Sequence, residues 1–106
     1  MPKYLITASY TAEGLKGLLK DGGTGRRAAV QKALEGLGGK LESIYYTFGD
    51  HDVIAIGDLP DNATAAAISL TVSASGSVRT TTTPLLTAEE IDAAAKKSVS
   101  YRKPGA

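Results

Sequence analysis

Alternation between apolar and polar side chains sets the first stretch of the chain. From Lys3 to Tyr10, β-branched, aromatic and leucine residues in a run too short for a typical helix predict a strand. A period of two puts Tyr4, Ile6, Ala8 and Tyr10 on one face and Lys3, Leu5, Thr7 and Ser9 on the other. The spacing then becomes helical. Leu15, Leu18 and Leu19 follow a capping Thr11, with Gly14 and Gly17 weakening the run. Asp21-Gly22-Gly23-Thr24-Gly25 predicts a break that reads as a flexible linker. Beyond it Thr24 caps a second helical run, in which Val30, Ala33, Leu34 and Leu37 recur at i, i+3, i+4 and i+7 until Gly38-Gly39 stops it.

Two further strands are predicted next. Lys40 to Phe48 sorts Leu41, Ser43, Tyr45 and Thr47 against Glu42, Ile44, Tyr46 and Phe48, and Asp52 to Gly57 is short and nearly all apolar. The tight Gly49-Asp50-His51 link makes them an antiparallel hairpin. Asp61 caps an alanine-rich helix from Ala63 to Ser75, with Ala65, Ile68 and Val72 along one stripe. Ser77 to Leu86 is a threonine-rich strand limited by Pro84, and Thr87 with Glu90 forms a capping box for a last helix carrying Ile91, Ala94 and Ala95. The order β-α-β-β-α-β plus a C-terminal helix is the ferredoxin-like α+β plan, an antiparallel sheet with helices on one face. One domain over residues 1–97 and a tail over 98–106 are expected. Both strand faces carry apolar or aromatic residues, so the uncovered face is expected to pack against another copy in a homo-oligomer.

Composition narrows the chemistry. Twelve basic residues against eleven acidic ones leave a formal charge of +1, which removes the electrostatic case for nucleic acid or an anionic membrane as partner. The absence of cysteine excludes disulfides, thiolate metal sites and a cysteine nucleophile. The single histidine, His51, leaves no multi-histidine metal centre within one chain, and no metal is expected. No secretory leader or membrane-spanning run is legible, so a cytoplasmic location is expected.

Few residues remain to carry function. His51 beside Asp52 offers proton transfer near neutral pH, but neighbours on a strand point apart, and Asp52 can instead fix the hairpin by accepting backbone N–H bonds. Arg79, beside the run Thr80, Thr81, Thr82 and Thr83, offers a bidentate fork for a carboxylate or phosphate, the threonines being sheet formers first and pocket lining second; alternatively it pairs with Asp52 or Glu42 across the sheet, or with a partner subunit. Tyr4, Tyr10, Tyr45 and Tyr46 suit stacking on a ligand, or packing in a core or interface. The glycine-rich stretch before Arg26-Arg27 lacks the Lys-Ser/Thr ending of a phosphate-binding loop.

The run Tyr45-Tyr46-Thr47-Phe48-Gly49-Asp50-His51-Asp52-Val53-Ile54-Ala55-Ile56 resembles the signature of the GYD domain family of small bacterial proteins. Tyr10-Thr11-Ala12-Glu13-Gly14, Arg27, Gly38-Gly39-Lys40-Leu41, Pro60-Asp61 and Gly76-Ser77-Val78-Arg79-Thr80 extend the likeness over residues 3–97. His51 stands where the family's tyrosine is expected. The resemblance implies the ferredoxin-like fold and a dimeric α/β-barrel assembly with two sheets face to face; it supplies no activity. Proteins of related barrels include heme-dependent enzymes, monooxygenases, isomerases and ligand-binding regulators. Besides a purely structural oligomer without a ligand, two readings follow. One is a binding module whose inter-subunit cavity holds a small organic ligand against Arg79, Tyr4, Tyr45, Tyr46, Thr80 and Thr82. The other is a cofactor-independent or heme-assisted enzyme using His51 and Asp52; the residues themselves specify no cofactor.

Overall fold

A computed structural model describes all residues, 1–106. Seven elements follow one another: β1 (Lys3–Tyr10), α1 (Ala12–Gly36), β2 (Lys40–Tyr46), β3 (Val53–Asp58), α2 (Asn62–Ala74), β4 (Val78–Leu85) and α3 (Ala88–Ala95). The four strands form one antiparallel sheet in the order β2-β3-β1-β4. No helix is long and apolar enough to cross a membrane.

Local chemistry fixes the element ends. The Thr11 side chain accepts from Gly14 N to start α1, and Asp61 accepts from Thr64 N to start α2. The capping box of α3 is complete, with Thr87 Oγ1 accepting from Glu90 N and Glu90 Oε1 accepting from Thr87 N. The linker expected over residues 21–25 is absent. One helical run continues from Ala12 to Gly36, and only Gly22 leaves helical geometry, at φ 74°. A residue without Cβ adopts that conformation at no steric cost, so one glycine kinks the helix and its neighbours stay helical. β2 also ends early. Thr47 N donates to the Asp52 carbonyl and turns the chain, which leaves Phe48 fully exposed in the loop.

Helices α1 and α2 lie on the same side of the sheet. Tyr4 of β1, Leu34 of α1, Leu59 in the link between β3 and α2, and Ala65 of α2 form the buried cluster, flanked by Val30, Leu41 and Ile68. Gly14 lets α1 approach closely, since a Cβ there would run into the Ser77 carbonyl oxygen. The core is thin: only nine of the 106 residues are buried.

Pairing register sorts the rest. Leu5, Thr7 and Ser9 oppose Thr83, Thr81 and Arg79 on β4, and Leu5 and Thr7 oppose Ile56 and Ile54 on β3, all on the side away from the helices. An irregularity between Leu41 and Ser43 keeps Tyr45 opposite Ile54 on that side. The uncovered face is therefore mixed, with Leu5, Ile54, Ile56, Leu85 and Tyr45 among threonines and serines. Tyr4, Ile6, Tyr10, Ile44 and Tyr46 belong to the helix side, so the aromatic content of the open face is smaller than the bare pattern suggests. Every residue from Leu86 to Ala106 is exposed. The C-terminal segment stands clear of the sheet, and the molecule measures 55 × 34 × 22 Å.

Candidate functional site

The loop between β2 and β3 is clipped onto the end of β1. Asp52 Oδ2 accepts from Tyr10 N at 2.8 Å, and Asp52 N donates to the Ala8 carbonyl at 2.8 Å. The Thr47 hydroxyl closes the loop on the His51 carbonyl. These bonds answer backbone groups that the strand ends would otherwise leave unpaired. They also hold Asp50 and His51 beside the uncovered face at its β1–β4 side.

There a recess of about 220 Å³ is lined by Thr7, Ser9, Asp50, His51, Arg79, Thr80 and Thr81, with no hydrophobic member. Its electrostatics centre on Arg79. The pairing of Arg79 with Asp52 or Glu42 weighed from the sequence does not occur, because Asp52 is occupied by Tyr10 N and Glu42 by Lys3 at 2.8 Å. None of the three ion pairs of the chain involves Arg79. An exposed guanidinium, an imidazole and the hydroxyls of Thr7, Ser9 and Thr81 suit a small group that accepts hydrogen bonds, while the Asp50 carboxylate on the same wall accepts from a donor and opposes a second negative charge. No cluster of three or more potential metal ligands exists anywhere in the chain.

The sheet divides the remaining candidates. His51 and Arg79 share the recess, and Tyr45 stands on the same face, exposed. Tyr4 lies on the helix side, buried, where its hydroxyl donates to Asn62 Oδ1 at 2.6 Å. Tyr46 also belongs there and donates to the Gly23 carbonyl at 2.8 Å, tying β2 to the kink of α1. Burial, with the neighbouring Tyr10, raises the Tyr46 phenol above its usual value against the pull of Arg26 and Arg27. The Thr82 hydroxyl meets Ser69 at 2.5 Å and that of Thr80 meets Ser73 at 3.3 Å, so both serve the α2–β4 contact. Tyr4, Tyr46 and Thr82 therefore do not reach the recess, while Thr80 borders it and bonds to α2 on the other side. Thr81 belongs to the Thr80–Thr83 run weighed beside Arg79 from the sequence, whereas Thr7, Ser9 and Asp50 were not singled out, although Thr7 and Ser9 already shared a face with Leu5 by alternation.

A search of curated proteins and a search of solved structures each find no match. A family model does match. It describes the GYD domain and spans residues 4–95, from the first strand to the end of α3, including the clipped loop and the recess. With nearly the whole chain inside that match, the protein belongs to the GYD domain family.

Proposed function

We propose that the chain is an oligomeric binding module that holds a small organic ligand at its uncovered sheet face, with Arg79 as the charged anchor. The observation that carries this reading is the all-polar recess beside an apolar patch on one uncovered face: Arg79, His51 and three hydroxyls border Leu5, Ile54 and Ile56. A second copy laid against that face shields the apolar patch and encloses the recess. The thin core supports the same conclusion, since a domain of this size gains much from further burial. The fold we assign is ferredoxin-like. Read from the β4 edge, the strands run β4-β1-β3-β2, with α1 and α2 on one face.

Native mass spectrometry after mild purification tests both parts at once. The expected result is a dimer or larger assembly with retained small-molecule mass, and loss of that mass in Arg79→Ala. A bare monomer at micromolar concentration overturns the proposal. A second reading rests on His51 lining the same recess. There its imidazole would act as acid/base, or would hold a heme iron and lend it redox chemistry, while Asp52 acts on the loop and not on the reaction. Added hemin then gives a Soret shift that His51→Ala abolishes; an unshifted spectrum removes the heme version.

A further inference from the structure

The helix-covered side of the sheet contains a space that its two helices leave open. α1 packs chiefly over β2 and α2 over β4, so the middle of the sheet is incompletely roofed. Ile6, Val30, Ile44, Ile68, Val72 and Val78 line the gap, and each keeps partial exposure. Among them lies a chamber of about 100 Å³ with an almost wholly hydrophobic lining. It shares Tyr10, Arg26, Val72 and Val78 with a wider cleft of about 410 Å³ that opens to solvent. Apolar walls give water no partners, and a chamber of this kind favours an apolar occupant over solvent.

Arg26 stands where chamber and cleft meet. Its side chain is 34% exposed, and its one ionic contact is Asp21 at 3.8 Å, too long for a hydrogen bond. A guanidinium drawn partly out of water with its donors unanswered favours an incoming carboxylate, which matches its fork. Glu13 and Asp21 also line the outer cleft, so a second negative charge on the ligand would be repelled. Apolar walls, a single cation at the junction and acidic groups farther out specify one type of molecule.

We propose that this cleft binds a small monocarboxylic acid with an apolar body, the hydrocarbon or aromatic part in the inner chamber and the carboxylate on Arg26. The site lies on the opposite side of the sheet from the Arg79 recess and does not depend on it. Calorimetric titration of the full chain with octanoate and with octanol, with methyl NMR to locate the ligand, tests it. Octanoate is expected to bind once per chain and to shift Val30, Ile68 and Val72. Arg26→Gln should weaken octanoate by about tenfold or more and octanol by less than about twofold. Val72→Phe, which fills the chamber, should abolish both, and Arg79→Ala should change neither. Equal octanoate affinity in Arg26→Gln, no binding at all, or shifts centred on His51 overturns the proposal. Binding that appears only after truncation at Leu86 overturns it too, by giving the space to the C-terminal arm of another copy. If Val72→Phe does not fold, the octanoate–octanol contrast in Arg26→Gln still decides.

Discussion

At the scale of single residues, carboxylates do structural work that their positions in the sequence only half disclose. Asp61 caps α2, and its carboxyl is held below the ordinary value of 3.8, mainly by the backbone N–H of Thr64 and then by the Thr64 side chain. A depressed folded-state pKa stabilises the protein above the unfolded value, and this is lost as pH falls through the folded one. Thermal melts between roughly pH 5 and pH 2.5 should show this acid limb, and Asp61→Asn, a cap that does not titrate, should flatten it. Asp52 bonds to Tyr10 N at a strand end. Asp52→Ala should cost about 1–3 kcal/mol in urea unfolding and speed amide exchange from Thr47 to Tyr10. The Asp61 cap was legible because it is local, three residues from its partner Thr64, whereas the Tyr10 partner of Asp52 lies 42 residues away on β1 and no local pattern names it. The sequence could not place Arg79, whose surroundings depend on strand pairing and on a loop clipped from a distant part of the chain.

Among the elements, the strands and the caps Thr11, Asp61 and Thr87 were legible, while the long helix was not, and the cap expected at Thr24 falls inside it. β1 runs over the residues that alternation predicts, and the capping threonines of α1 and α3 and the aspartate of α2 act as caps. The glycine-rich stretch misled because composition marks a break without saying how many residues leave the helix. Tertiary contacts decide that: Tyr46 bonds to the Gly23 carbonyl just past the kink and holds the second half of α1 to β2. Tyr46→Phe should loosen this junction, read as faster amide exchange around Gly23 with little change elsewhere. Gly14→Ala should destabilise by about 1–3 kcal/mol in urea unfolding, because the new methyl forces α1 away from the Ser77 carbonyl. No pattern in α1 itself announces that constraint.

For the whole molecule, sequence reasoning predicted a sheet with one uncovered face but overestimated how much of it is aromatic. Alternation says which residues share a face within a strand; only register says which faces of different strands coincide. Once paired, Leu5, Ile54 and Ile56 make one apolar patch and most tyrosines fall on the helix side. Placing a charge in that patch with Ile54→Lys should shift the proposed assembly to monomer in sedimentation while leaving the melting of the isolated fold nearly unchanged, since Ile54 is already 36% exposed.

The free-standing arm from Leu86 onward has a practical corollary. Trypsin should find Lys96, Lys97 and Arg102 first, because an exposed segment whose hydrogen bonds are all its own is easily drawn into a protease cleft, and Pro104 protects the bond after Lys103. Trimming there should remove only the last ten residues or so and leave the four-stranded body to melt as before.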